Sequence, residues 1–131
     1  MAQRKILIID DEHSLLRLSQ IIFQRKGYAV EVALSVAEGK RRLASQGPFD
    51  AIILDLMMPD ENGFDFLRWR ETQEEPVKSA PVIVNTAKNL TEEERTYLVQ
   101  NTDRIMQKGI NFSDKLVSEV EALFQKRQSQ K

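Results

Sequence analysis

Short runs of aliphatic and β-branched residues alternate along the chain with longer stretches in which apolar residues recur every three or four positions. The short runs predict strands and the longer periodic stretches predict amphipathic helices. Five strands are predicted, at residues 6–9, 29–33, 51–54, 82–84 and 104–107. Because strands and helices alternate, and because the central strands are apolar on both faces, we expect an α/β fold with a doubly wound five-stranded parallel sheet flanked by helices.

Apolar stripes and capping signals place the helices between these strands. Three stripes predict the first, third and last helices: Leu15, Leu18, Ile21 and Ile22; Phe64, Leu67 and Trp69; Leu116, Val117, Val120, Leu123 and Phe124. Ser35 with Glu38, and Thr91 with Glu94, have the spacing of a capping box, which predicts two further helix starts. The polar segment 72–80 is the longest connection and is predicted to be a surface loop.

The length and the composition limit the classes of protein that this chain can belong to. With 131 residues it is large enough for one compact domain, which we place at 1–125, followed by a polar tail or linker at 126–131. The chain has no cysteine, which excludes disulfides, thiolate metal ligands and cysteine nucleophiles. No apolar run approaches the ~20 residues of a membrane span, and the first strand begins too early to leave room for a signal peptide, so we expect a cytoplasmic location.

The charge balance argues against nucleic acid as the main partner. The chain carries 19 basic and 20 acidic side chains, a formal net charge of −1, whereas nucleic-acid binding usually requires a concentrated basic excess. The basic cluster near the C-terminus, Lys126, Arg127 and Lys131, is interpreted as a solvated tail.

The residues that follow the predicted strands suggest a chemical site. The first strand is followed by Asp10 and Asp11, the third by Asp55, the fourth ends near Thr86, and the fifth is followed by Lys108. In an open doubly wound sheet the ligand site lies outside the carboxyl ends of the strands. The fold therefore predicts that three carboxylates, one hydroxyl and one ammonium group meet at one edge of the sheet.

This set of groups is suited to phosphoryl transfer. Three crowded carboxylates repel one another unless a cation is present, and Mg²⁺ is commonly held by carboxylates together with water and phosphate oxygens. Asp55 can then act as the nucleophile that forms an acyl phosphate. Lys108 would contribute positive charge and the Thr86 hydroxyl a hydrogen bond to the transferred group.

The same residues resemble the receiver domain of two-component response regulators. The resemblance rests on the segments 6–12 and 54–59 with Gly63 following, on Thr86-Ala87 and on Lys108, and it covers nearly the whole chain in order and spacing. It implies a flavodoxin-like receiver fold and phosphorylation of Asp55 by a phosphohistidine on a partner kinase or phosphotransfer domain. Such a domain signals by conformational change and catalyses only its own phosphorylation and slow dephosphorylation.

The resemblance also assigns roles to individual residues. It implies that Asp11 and Asp55 ligate Mg²⁺ directly, that Asp10 does so through water, and that the carbonyl of Met57 completes the protein ligands. Thr86 would move towards the phosphoryl group and Lys108 would pair with it.

Three positions depart from the usual pattern of the family. Gly109 stands where a proline often follows the lysine, so we expect a trans bond or a locally rearranged loop there, since a cis bond without proline costs about 2.5–4 kcal/mol. Ile105 stands where many receivers have a switching aromatic residue, and residues 101–103 replace a small-residue turn. The Lys-Gly pair is similar to receivers found within hybrid sensor kinases.

Two other functions remain open on the sequence. A Mg²⁺-dependent phosphatase of the haloacid dehalogenase type also uses an aspartate nucleophile, but at the end of its first strand and within an Asp-x-Asp pattern. A protein-binding module that keeps the fold without phosphorylation is the other alternative, suggested by Gly109 and Ile105. For a receiver, we expect the chain either to signal by direct protein contact or to be part of a longer protein, and the sequence names neither its kinase nor its downstream target.

Two further side chains are predicted to lie near the acidic site. Met57 and Lys88 would flank the path of a water that hydrolyses the acyl phosphate, and the thioether of Met57 has no strong donor or acceptor to orient that water. We therefore expect a long-lived phosphoryl form. His13, the only histidine, is predicted to be solvent-exposed at a helix start.

Overall fold

A computed structural model describes residues 3–58, 60–109 and 112–129, with the side chains of 112, 113 and 127–129 left undescribed. Five parallel strands form one sheet in the order β2-β1-β3-β4-β5. The elements in chain order are β1 (Lys5–Ile9), α1 (His13–Arg25), β2 (Ala29–Ala33), α2 (Val36–Gln46), β3 (Ala51–Leu54), α3 (Gly63–Glu71), β4 (Val82–Thr86), α4 (Glu92–Asn101), β5 (Arg104–Gln107) and α5 (Phe112–Ser129). The predicted α/β fold is confirmed.

The sheet separates two apolar layers, as expected for strands buried on both faces. One layer contains Leu7, Ile9 and Leu54 with the buried side chains of α2, α3 and α4. The other contains Ile6 and Ile53 with the buried side chains of α1 and α5. Successive residues of a strand point to opposite faces, so the two layers hold the central strands rigidly and fix where their carboxyl ends lie.

Helix α1 exists where it is predicted, but only part of the predicted apolar stripe packs against the core. The structure buries Leu16, Ser19 and Phe23, and leaves Leu18 43% and Ile21 36% exposed. Apolar residues at 15, 16, 18 and 21–23 form two overlapping stripes, and the buried one contains the polar Ser19. Periodicity therefore favoured a stripe in which Ile22 packs against the core while Leu18 and Ile21 face outward.

Helices α2, α3 and α4 start at side-chain caps. The Ser35 hydroxyl accepts from the Glu38 amide at 3.1 Å, but the Glu38 carboxylate accepts from the Leu34 amide, so the predicted capping box is only half formed. The box at Thr91 and Glu94 is complete. Asn62 caps α3 with Asp65 in a further box, and Phe66, which the apolar stripe missed, is fully buried there beside Leu67.

Helix α4 is held to the domain through its C-terminal half. Leu98 is its one buried residue, and Tyr97 packs against the Phe64 ring with the centroids 6.2 Å apart. Next to them, the buried Arg70 side chain donates at 2.5 Å to the carbonyl of Ala80 and at 3.5 Å to that of Asn101. The guanidinium group thus ties the end of α3 and the 72–80 connection to the end of α4.

Helix α5 runs past residue 125, where the domain boundary is predicted. Its backbone stays helical to Ser129, so the part of the expected tail from 126 to 129 continues the helix. The apolar stripe ends at Phe124, but the Gln and Lys residues that follow are good helix formers and extend it. Pro59 of the motif and Lys131 of the basic cluster lie outside the described residues, as does the side chain of Arg127. In the part of the chain that is described, no helix has the length and apolar character needed to cross a membrane.

Candidate phosphoacceptor site

The predicted site residues come together at the carboxyl edge of the sheet. β1 and β3 are neighbours, with Ile9 paired to Leu54, so the residues that follow them emerge side by side. β2 lies on one side of β1 and β3 on the other, which makes this the point where the strand order reverses. Open α/β sheets form their ligand crevices at such a switch point.

Asp10, Asp11 and Asp55 form one carboxylate cluster. An oxygen from each of the three side chains lies within 4.8 Å of the others. Asp10 and Asp55 are buried, and Asp11 is partly exposed at the mouth of the site. Hard oxygen ligands at this spacing fit a divalent cation such as Mg²⁺, whose coordination would be completed by water and by phosphate oxygens.

Lys108 reaches this cluster from the end of β5. Its Nζ donates to Asp10 Oδ2 at 2.8 Å and to Asp55 Oδ2 at 3.1 Å, and lies 3.9 Å from Glu12 Oε1. The side chain is only 8% exposed. The ammonium group therefore offsets part of the negative charge. Without it, burying two carboxylates would be strongly unfavourable.

The backbone of Lys108 is fixed by the sheet. Its amide donates to the Thr86 carbonyl at 2.8 Å, one position beyond the last ladder pair of β4 and β5. The Lys108–Gly109 bond is not among the cis peptide bonds of the described residues, so the expected trans geometry is confirmed. The proline that many receivers have at this position is thus not needed to place the lysine.

The charges around Lys108 favour its protonated form. Burial raises the pKa of the Asp10 carboxyl above its ordinary value, against the opposing effect of the hydrogen bonds from Lys108 and the Glu12 amide. For Lys108, burial by itself lowers the pKa, but the hydrogen bonds and charges of Asp10 and Asp55 outweigh it and raise the pKa above its usual range. The lysine consequently stays protonated at neutral pH.

Thr86 is buried at the end of β4, and its hydroxyl oxygen accepts from the Lys88 amide at 3.1 Å. Together with Lys88, Thr86 lines a cavity of about 280 Å³ whose far wall includes Ile105. The branched Ile105 side chain is smaller than an aromatic ring and is partly buried. Position 105 therefore has no aromatic ring, and open space adjoins Thr86.

Met57 and Lys88 lie beside the acidic cluster, and their predicted place along the path of a hydrolysing water stays a prediction. The Met57 amide donates to Asp55 Oδ1 at 3.2 Å, while its side chain is 54% exposed. Met57, Lys88 and Asp11 line one open groove. His13 begins α1 and is exposed, as expected.

Sequence reasoning missed two acidic residues near the site. Glu12 lies next to Lys108 at the N-cap position of α1, where its side chain makes no cap hydrogen bond, and its amide donates to Asp10 Oδ1 at 2.9 Å. Glu94 completes the capping box of α4 and also forms an ion pair with Lys88 at 3.4 Å. The signal for Glu12 was its place directly after the acidic pair, whereas nothing in the sequence pairs Glu94 with a lysine six residues earlier.

Comparison with known proteins gives a consistent assignment. The family model described as "Response regulator receiver domain" matches residues 6–121. The response regulator ArlR of Staphylococcus haemolyticus is 33% identical over 126 residues, covering 96% of this chain and 54% of the relative. The sensor kinase/phosphatase CqsS of Vibrio cholerae is 30% identical over 87 residues, covering 66% of this chain and 12% of the relative.

Two solved structures are similar over almost the whole fold. A CheY-like receiver domain from Methanospirillum hungatei aligns with a TM-score of 0.86 at 21% identity, covering 99% of this chain and 100% of that chain. The response regulator TrrA of Thermotoga maritima, in complex with Mg²⁺ and BeF, aligns with a TM-score of 0.76 at 29% identity, covering 92% and 99% of the two chains. The chain belongs to the response regulator receiver family. It spans about half the length of ArlR.

Proposed function

We propose that Asp55 accepts a phosphoryl group from a phosphohistidine of a partner kinase or phosphotransfer domain. The observation that carries this proposal is the buried contact of Asp55 and Asp10 with the Lys108 ammonium, beside a third carboxylate from Asp11. Membership in the receiver family supports the same reaction.

The proposed transfer balances without any further reactant. An oxygen of the Asp55 carboxylate attacks phosphorus, the P–N bond to the donor imidazole breaks, and its electron pair goes to the ring nitrogen. The second ring nitrogen of the phosphohistidine already carries a proton, so the donor leaves as neutral imidazole. Lys108 holds the attacking carboxylate in place and compensates the charge that develops on the phosphoryl oxygens. The Met57 amide, already directed at Asp55, is a second donor at the same group.

A divalent cation fits the remaining ligands. We propose that Asp10, Asp11, Asp55 and the carbonyl of Met57 hold Mg²⁺, with Asp10 acting through water. When bound, Mg²⁺ would neutralise the carboxylates and draw charge from the transferred phosphoryl group. The three carboxylates set 4.8 Å or less apart support this assignment, as does the Mg²⁺ in the TrrA complex.

The intact mass of the protein after incubation with Mg²⁺ and acetyl phosphate tests the proposal. We expect a gain of one phosphoryl group, ~80 Da, that requires Mg²⁺ and is absent in Asp55→Asn. Asp60→Asn is the matched control, because Asp60 lies on the same loop, is exposed, and has a positive φ of 67° that asparagine adopts readily. If Asp55→Asn still gained the group, Asp55 would not be the acceptor.

We expect the phosphoryl group to be lost slowly, because the exposed side chain of Met57 has no strong donor or acceptor to orient the attacking water. Replacing Met57 with Asn places an amide where it can orient the attacking water, and we expect dephosphorylation to accelerate roughly five- to tenfold, the kinetic equivalent of one hydrogen bond. The decay of the phosphorylated mass after removal of acetyl phosphate measures this rate. Met57→Leu, which is apolar and of similar size, should decay like the wild type. An unchanged rate in Met57→Asn would contradict the prediction.

A further inference from the structure

Lys88 stands between the phosphoacceptor site and helix α4. Its amide donates to the Thr86 hydroxyl at 3.1 Å, and its side chain lines the groove that also contains Asp11 and Met57. At the same time its Nζ lies 3.4 Å from Glu94 Oε2. The lysine is thus connected to the acidic site by its backbone and to α4 by its side chain.

Glu94 performs two tasks with its two carboxylate oxygens. Oε1 accepts from the Thr91 amide at 2.9 Å, and Oε2 pairs with Lys88. The Thr91 hydroxyl in turn accepts from the Glu94 amide at 3.1 Å, which completes the capping box of α4. Lys88 therefore orients the carboxylate on which the cap depends.

The N-terminal half of α4 has little else to hold it. Residues 92, 93, 95 and 96 are exposed, and the packing contacts of the helix come from Tyr97 and Leu98 in its second half. Such a segment is expected to open locally at low free-energy cost, so a change at its cap alters its order. The first turn is accordingly the part of the helix that responds to Lys88.

We propose that phosphorylation of Asp55 draws Lys88 away from Glu94 and thereby loosens the first turn of α4. This inference rests on the proposed phosphorylation. A phosphoryl group carries about −1.5 to −2 charge, more than one carboxylate, and a partly exposed ion pair such as Lys88–Glu94 is weak enough to exchange. When the Thr86 hydroxyl turns towards the new group, the Lys88 amide also loses its acceptor. The relay uses no aromatic side chain at position 105.

Amide hydrogen exchange of residues 91–96 tests the relay. The protein is incubated with Mg²⁺ and acetyl phosphate, and its phosphoryl occupancy is read from the intact mass of the same sample. We expect exchange of these amides in the wild type to be roughly fivefold faster when Asp55 is phosphorylated, which is the effect of losing one helix cap.

Two variants, one at each partner of the Lys88–Glu94 ion pair, should abolish this response. Glu94→Gln keeps a side chain that can complete a capping box but loses the ion pair, so phosphorylation has no pair left to break and exchange should be the same in both states. Lys88→Met removes the same pair from the other partner, so its exchange should likewise not change with phosphorylation. Glu93→Gln, an exposed change in the same turn, should respond like the wild type.

The outcomes separate the relay from the phosphorylation itself. If no sample gains the phosphoryl mass, the proposed function fails. If the mass appears but residues 91–96 exchange equally in both states of the wild type, the relay is wrong while the phosphorylation stands. A full response in Lys88→Met at equal occupancy would also overturn the relay.

Discussion

Replacing Lys108 with Met is expected to slow phosphorylation of Asp55 by acetyl phosphate by roughly 10²–10³-fold, the usual cost of removing one preorganised charge-stabilising donor. The ammonium lies 3.1 Å from Asp55 Oδ2 and is almost completely buried, so bulk water cannot take its place. Methionine keeps most of the aliphatic volume and removes the charge together with the N–H donors. The rate of appearance of the phosphorylated mass at saturating Mg²⁺ measures the effect.

The Lys108 variant also needs a measurement of its fold. Without the lysine, Asp10 and Asp55 face each other uncompensated, so in the absence of Mg²⁺ the variant should melt at a lower temperature than the wild type. Mg²⁺ should restore part of this loss. Lys78→Met, an exposed lysine on the 72–80 connection, serves as the control and should leave rate and melting temperature unchanged. A Lys108→Met variant that is phosphorylated at the wild-type rate would exclude an electrostatic role.

Replacing Gly63 with Ala is expected to destabilise the domain by about 3 kcal/mol, near the upper end of ordinary overpacking. A Cβ at this position would lie 2.6 Å from the Asp55 carbonyl oxygen and 2.8 Å from Leu56 Cα. Both are backbone atoms of the segment that carries the acceptor, so neither can move aside like the end of a side chain. Thermal unfolding should show a melting temperature lower by roughly 10 °C.

The glycine after the lysine provides the matched control for Gly63. A Cβ added at Gly109 meets no atom within 4 Å, and no left-handed φ is needed there. Gly109→Ala should therefore be neutral, or slightly stabilising because it restricts the unfolded chain. If Gly63→Ala melted like Gly109→Ala, the close packing of α3 against the Asp55 segment would be wrong.

Much of the fold was predictable because strand signals are local. The bounds of β2, β3 and β5 agree with the structure residue for residue, since each is a short run between clear breaks. The outward face of α1 was not predictable from periodicity, because Ser19 interrupts the stripe that is buried. Phe66 was missed for a related reason: Phe64, Phe66 and Leu67 are apolar at adjacent positions, and only packing decides which of them faces the core.

The site was predictable to the extent that topology alone places its residues. Once β1 and β3 are neighbours, Asp10 and Asp55 must emerge together, and Lys108 follows from the end of β5. Contacts between side chains on different loops were not predictable. An arginine on the surface of a helix and the buried Arg70 read alike in the sequence, and the Lys88–Glu94 pair depends on how one loop folds back.

The anchoring of α4 at one end determines what kind of motion the helix can make. With Arg70 bound to the Asn101 carbonyl and Leu98 buried, the C-terminal end acts as a pivot. A helix of 10 residues is ~15 Å long, so a tilt of about 10° about that pivot would move its first turn by ~2–3 Å and its last turn hardly at all. The helix would then behave as a lever whose free arm points towards the acidic edge, and a partner that senses the state of the domain would gain most by contacting that arm.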